Sequence, residues 1–205
     1  MNVSLDKAIA VLKAGGLVAY PTDTLYGLGA NALDLQAVAK VFKAKQRPLD
    51  QPLPLLLAEV DDMDRYCADV PEISLTLARA FWPGGLTMVL RRRPVIPDIV
   101  TAGGPTVAVR VPGHPIPRAL ARGLGAPITG TSANLHRQSE PRTAKEVHTQ
   151  LGSRVDFILQ GRCALGRPST IIDLTGGNPR IVRAGAISQE RIEQVLGRPV
   201  IRGGL

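Results

Sequence analysis

The chain is 205 residues long, 44% hydrophobic and 20% charged, with 25 basic against 17 acidic residues and a formal net charge of +8. That is enough apolar content to bury a real core and too much for a disordered chain, and no run approaches the roughly 18 apolar residues of a membrane span. Cys67 and Cys163 stand far apart with no Cys-x-x-Cys and no His-x-x-x-His, which argues against a structural zinc site and, in a reducing compartment, against a disulfide.

Aromatic residues make up only 3%, so the core must be aliphatic. In chain order, residues 4–14 read as an amphipathic helix with Leu5, Ala8, Ile9 and Leu12 on one face. Asp6 and the lack of a long apolar stretch make this segment a poor signal peptide, and a cytoplasmic location is expected. Gly15-Gly16 breaks the helix, residues 17–20 form a buried strand, and Pro21 ends it. A loop carrying Thr22, Thr24, Tyr26, Gly27 and Gly29 follows. Asp34 caps a second helix with Leu35, Val38, Ala39, Val41 and Phe42 on its apolar face; its end carries Lys43, Lys45 and Arg47 and is closed by Pro48.

Residues 52–57 read as a strand with Pro54 at its start or edge, followed by a short helix after Val60 and a longer one from Pro71 to Phe81. Trp82-Pro83-Gly84-Gly85 breaks that helix; residues 86–91 form a strand and 92–105 a loop. A strand over 106–111 and a helix over 115–122 come next, then a short strand over 127–129 that runs into a turn at 130–134. A polar loop over 136–142 leads to Thr143, which caps a helix to Leu151. Strands over 155–159, 170–174 and 180–182 and a helix from Ser188 to Leu196 complete the chain. The order predicts an α/β fold, a single domain over 1–205 with a twisted, mixed, partly parallel sheet flanked by helices.

The basic balance points to polyanionic partners such as nucleotides, tRNA or pyrophosphate, with a solvated basic surface as the plain alternative. Neither a P-loop nor a Gly-x-Gly-x-x-Gly fingerprint occurs. The hydroxyl-rich loop and the Lys45–Arg47 helix end lie in one strand–loop–helix unit suited to an anion, although cations in a last helical turn also simply complement the helix dipole. Ser132 and Asn134 lie two residues apart in a turn, close enough to reach one ligand or to bond their own backbone. The run from Gly130 to Asn134 nearly matches a nucleophile elbow, but Glu140, Glu146 and His148 follow too closely for the usual acid–histidine order of an acyl hydrolase. Thr106 and Arg110 share one face of their strand and could present a hydroxyl and a cation together, or be an edge threonine and a solvated arginine. His114 reads as structural.

Six blocks carry a resemblance. Pro21-Thr22-Asp23-Thr24-Leu25-Tyr26-Gly27-Leu28-Gly29 with Lys45-Gln46-Arg47-Pro48, Phe81 to Thr87, Val107 to Pro115, Thr131 to Leu135, Pro168 to Asp173 and Arg180 to Gly185 are similar, in order and spacing, to the Sua5/YciO/YrdC family of L-threonylcarbamoyladenylate synthases. The resemblance implies a YrdC-like fold with a concave basic cleft. It also implies condensation of L-threonine, bicarbonate and ATP, with release of pyrophosphate, for threonylcarbamoyladenosine modification of tRNA.

By the same resemblance Lys45 and Arg47 are catalytic phosphate clamps. Thr106, Ser132, Asn134 and Arg183 join them in binding ATP, while Thr22, Arg110 and Ser169 bind threonine. Mg2+ is expected with ATP and no residue is assigned as a metal ligand; no general base is named. The alternative is a non-catalytic RNA-binding member of the same fold, with tRNA or double-stranded RNA and tRNA-modification proteins as partners. Two departures stand out. Leu56 occupies the place of a histidine in longer members, and His136-Arg137 replaces a common Ser-Gly.

Overall fold

A computed structural model describes residues 3–164 and 166–203; Met1, Asn2, Leu165, Gly204 and Leu205, and with them both ends of the expected 1–205 unit, lie outside the described residues. The helices are α1 (Val3–Lys13), α2 (Leu35–Lys45), α3 (Met63–Tyr66), α4 (Glu72–Phe81), α5 (Asp98–Thr101), α6 (Pro115–Leu124), α7 (Ala144–Leu151) and α8 (Gln189–Leu196). The strands are β1 (Val18–Tyr20), β2 (Gly27–Gly29), β3 (Leu55–Leu56), β4 (Cys67–Ala68), β5 (Leu86–Arg92), β6 (Thr106–Arg110), β7 (Ile128–Thr129), β8 (Thr131–Ser132), β9 (Phe157–Ile158), β10 (Thr170–Asp173), β11 (Arg180–Arg183) and β12 (Ile201–Arg202).

Among the described residues the strands form two sheets rather than the single sheet expected. The smaller runs β8-β2-β1-β9 and the larger β12-β11-β10-β5-β6-β3-β7, with β4 paired to β5. Pairing is mixed in both. In the larger sheet β10 runs parallel to β5 and β3 parallel to β6, while β5 and β6 are antiparallel. In the smaller one β1 is antiparallel to β2 and parallel to β9. The main core is largely aliphatic and collects Val38, Val41 and Phe42 of α2, Leu77 of α4 and Leu86, Met88 and Leu90 of β5. A second cluster packs Ala8 and Leu12 of α1 and Leu120 of α6 against Val18 and Tyr20.

The caps explain why several boundaries were legible. Asp34 accepts from Gln36 N at 2.9 Å and Ala37 N at 3.1 Å, Thr143 caps α7 and Ser188 caps α8. His114 caps α6 through Nδ1, which accepts from Ile116 N at 3.2 Å, in keeping with its structural reading.

Three readings need correction. Gly27 and Gly29 belong to a strand, not to a loop: a Cβ at either would lie 2.6 Å from the Tyr20 ring. The ring crosses the face of β2 and its hydroxyl donates to Thr129 O at 2.7 Å, so glycine here answers to close approach rather than to flexibility. The 130–134 turn contains β8, because Thr131 and Ser132 cross to the smaller sheet and pair with Leu28 and Gly27. The expected loop over 92–105 contains the one-turn helix α5. The short pairs β4 and β12 carry no periodic signal and were absent from the sequence reading.

Candidate ligand-binding site

Both sheets contribute to a cavity of about 260 Å³. One wall comes from the smaller sheet and its loops, with Thr22, Thr24, Tyr26, Gly27, Thr131 and Ser132; the other comes from the larger sheet, with Thr87, Arg110, Ser169 and Arg183. Arg47 and Glu140 also line it, and Leu56 and the neighbouring prolines give it an aliphatic side.

Around one buried cation the lining groups are hydroxyls. Arg110 ends β6 with 5% of its surface exposed. Its Nε donates to Gly84 O at 2.7 Å, Nη1 to Thr24 Oγ1 at 3.2 Å and Nη2 to Asp23, with which it forms an ion pair. Burial lowers the guanidinium pKa and the Asp23 charge opposes that shift. Thr22 lines the cavity, but its hydroxyl closes its own turn, donating to Leu25 O at 2.7 Å and accepting from Thr24 N at 2.9 Å. Tyr26 donates its hydroxyl to Leu159 O at 3.0 Å, and burial pushes its pKa up to about 12.

Asp23→Asn should keep the fold but exchange a charge-assisted bond for a neutral one. The expected loss is about 1–2 kcal/mol of unfolding free energy, read by urea denaturation at neutral pH. An unchanged midpoint would show that the pair does not hold Arg110.

Ser169 and Arg183 form a joined unit. Arg183 donates from Nη2 to Ser169 O at 2.9 Å and to Ser169 Oγ at 3.1 Å, and Ser169 Oγ lies 2.8 Å from Thr87 Oγ1. Gly185 makes this contact fit, since a Cβ there would stand 2.4 Å from the Ser169 carbonyl carbon.

Lys45 and Arg47 part company. Gln46 between them takes the left-handed conformation, φ 52°, while Gln46 N donates to Lys43 O at 3.2 Å and Arg47 N to Phe42 O at 3.0 Å. This is the turn that commonly closes a helix, so α2 ends at the turn and not at Pro48. Arg47 emerges at the cavity, with Nη2 donating to Pro52 O at 3.1 Å and Nε to Gln51 O at 3.4 Å. Lys45 turns inward and is 2% exposed. Its ammonium donates to Ser132 O, to Asn134 O at 2.8 Å and to Asn134 Oδ1 at 3.3 Å, which engages all three of its N–H groups. Burial lowers its pKa to about 7, with Arg47 adding to the shift and Glu140 opposing it.

The structure therefore brings together Thr22, Arg47, Arg110, Ser132, Ser169 and Arg183 of the expected set. Lys45 does not present its charge to the cavity as the expected phosphate clamp; it braces the 132–134 turn from behind. Asn134 does not face the cavity beside Ser132, because its amide donates to Leu135 O at 2.9 Å and Gln138 O at 2.8 Å. Thr106 shares a strand face with Arg110 but sits opposite Arg91, about 13 Å along β6 by strand rise.

Sequence reasoning missed Thr24, Tyr26, Thr87 and Glu140 as lining groups and Asp23 as the partner of Arg110. Thr24 and Tyr26 lay in the singled-out loop and Thr87 in a singled-out block. Glu140, in a polar loop, gave no signal.

Three guanidinium groups, a belt of hydroxyls and an aliphatic side line one cavity between the two sheets of this α/β fold, a chemistry complementary to a small anion. The chain belongs to the Sua5/YciO/YrdC family: the family model, described as "Telomere recombination", matches residues 10–185. It is 41% identical over 191 residues to the threonylcarbamoyl-AMP synthase of Pyrococcus abyssi, covering 93% of this chain and 56% of the relative. A shorter relative of the same name, from Halorhodospira halophila, is 39% identical over 171 residues, covering 83% of this chain and 90% of its own length. The crystal structure of P. abyssi Sua5 complexed with L-threonine superposes with a TM-score of 0.93 at 40% identity, over 96% of this chain and 58% of that one. The chain thus spans somewhat more than half the length of its longer relatives.

Proposed function

We propose that this chain is an L-threonylcarbamoyladenylate synthase, a nucleotidyltransferase that joins L-threonine, bicarbonate and ATP. The observation that carries the reading is that one cavity gathers two sets of groups. Arg110 and its hydroxyl neighbours suit an amino-acid carboxylate and side-chain hydroxyl; Arg47, Ser132 and Arg183 suit a nucleotide. The relatives' names and the threonine complex of P. abyssi Sua5 support the same assignment.

In this reading bicarbonate supplies CO2, and the threonine nitrogen attacks its carbon to give a carbamate, with loss of water. A carbamate oxygen then attacks the α-phosphorus, the bond from that phosphorus to the bridging oxygen of the β-phosphate breaks, and pyrophosphate leaves. Arg110 and Thr24 orient the amino acid. Arg47 faces the polyphosphate, and Arg183, tied to Ser169, lies where the two substrates meet. Holding two anionic reactants in one cavity supplies both proximity and charge compensation. Among the described residues no group of three or more His, Cys, Asp or Glu side chains could cage a metal. Mg2+ would therefore enter with the nucleotide, where it offsets charge on the leaving pyrophosphate.

Threonylcarbamoyl-AMP is a mixed anhydride, and the reading makes tRNA its eventual acceptor, through partner proteins, in the cytoplasm. Among the described residues no helix is long and apolar enough to cross a membrane. The test is pyrophosphate release with each small substrate omitted in turn. Release is expected only when threonine and bicarbonate are both present. Equal release with either one missing overturns the reading. Salt-sensitive RNA binding without threonine-dependent turnover would favour a non-catalytic RNA-binding role instead.

A further inference from the structure

Glu140 is the only carboxylate lining the cavity among the described residues, an exposed side chain at its rim that no protein group engages. Its side chain is in neither an ion pair nor a hydrogen bond, whereas the nearby Asp23 is committed to Arg110. The backbone beside it is nevertheless held. Asn134 Nδ2 donates to Gln138 O at 2.8 Å, Gln150 Nε2 to Ser139 O at 2.8 Å and Tyr26 N to Pro141 O at 2.9 Å. Arg142 N donates to Glu146 Oε2 at 2.6 Å. The backbone on both sides of Glu140 is therefore tied down, to Tyr26 just before β2, to α7 and to the turn that Lys45 braces. The carboxylate also acts electrostatically on both Lys45 and Arg183, raising the pKa of each against the effect of burial.

A carboxylate at the rim of a cavity suited to a polyphosphate repels that ligand unless a cation lies between them. The positive charge in the cavity is modest, because Arg110 is already compensated by Asp23, leaving Arg47 and Arg183 against Glu140. A nucleoside triphosphate together with an amino-acid carboxylate brings more negative charge than this balance offsets. Mg2+ is commonly held by one or two carboxylates plus substrate phosphates, keeping several waters, and rarely by an all-protein cage. One free carboxylate with no metal-ligating cluster around it is that donor set.

We propose that Glu140 is a ligand, directly or through a bound water, of a divalent cation shared with the polyphosphate of the nucleotide. The proposal rests on the nucleotide reading of the cavity. It makes this chain's metal dependence a property of the 136–142 loop.

The test compares wild type with Glu140→Gln and Glu140→Ala for binding a non-hydrolysable ATP analogue by calorimetry, in Mg2+ and in excess EDTA. In Mg2+ the variants should bind about ten- to a hundredfold more weakly, the loss of one charge-assisted contact. In EDTA the order should invert, with both variants binding more tightly than wild type because the repulsion has gone. Electron paramagnetic resonance of Mn2+ in the wild-type ternary complex should show immobilised metal, with a different signal in Glu140→Gln.

A variant weaker by the same factor in both conditions would make Glu140 an acceptor for ribose or base, and would overturn the proposal. Tighter binding by the same factor in both would make it a repulsive wall only, and would also overturn it. If wild type binds no nucleotide with or without metal, the nucleotide reading itself fails and the cation site with it. Unchanged thermal midpoints in the variants confirm that the comparison is between folded proteins.

Discussion

Arg47→Ala is expected to lower turnover a hundred- to a thousandfold while the protein stays folded. The side chain is half-buried at the cavity and gives only two N–H groups to the protein, those to Gln51 O and Pro52 O, leaving three of its five donors for a ligand. Negative charge grows on the leaving pyrophosphate as the bond to the α-phosphorus breaks. A fixed donor aimed at that charge is typically worth about 2.7–4 kcal/mol in the transition state. The loss should therefore fall on kcat more than on KM.

Arg47→Lys should recover only part of it, because the ammonium keeps the charge and loses the planar fork. Lys43, exposed on the last turn of the same helix, is the internal control. Pyrophosphate release by Lys43→Ala should stay near wild type. If it falls as far as in Arg47→Ala, the effect comes from general basicity of the helix end and the assignment to Arg47 is wrong.

Lys45→Ala should behave differently, losing the fold's stability along with its activity. The ammonium is buried against three oxygens of Ser132 and Asn134. Removing it leaves two backbone carbonyls without their donor, at about 1–3 kcal/mol each, and truncating the buried stem adds a cavity term. A loss of about 3–5 kcal/mol in urea denaturation is expected. Lys45→Met, which refills the stem, should recover the packing part alone.

The same residue should make stability depend on pH. Its folded pKa, about 7, lies below the unfolded value of 10.5. Below pH 7 both states are protonated and the burial cost is fully felt. Between pH 7 and 10.5 the unfolded chain holds a proton that the folded chain has released, so stability rises with pH, by at most about 1.4 kcal/mol per unit. Lys45→Met should abolish that component of the slope. An identical slope in wild type and Lys45→Met would show that Lys45 keeps its proton throughout.

The contrast between these two residues shows where sequence reasoning stopped. Both lie in Lys45-Gln46-Arg47, both are cations past the apolar face of α2, and a helix ending at Pro48 would send both outward. A left-handed residue at Gln46 reverses the chain one step earlier, and glutamine gives no warning of it because this conformation is the usual preserve of glycine and asparagine. Thr106 and Arg110 failed in a similar way. Period-two alternation tells which face a residue occupies and says nothing about how far along the strand the site extends.

The sequence by itself determined the helices with strong apolar faces and recognisable caps, the longer strands, the α/β class and the blocks of family resemblance. Those features are written in local periodicity and in the chemistry of a few cap residues. The tertiary structure alone decided that the strands divide into two sheets. It also decided that β3, two residues long, pairs on both sides, and that Asp23 meets Arg110 across 87 positions of chain. It decided, too, that Glu140 faces the cavity. Each of these depends on which distant segments come into contact. For short strands and polar loops, contact is fixed by the packing of the whole core rather than by any pattern within the segment.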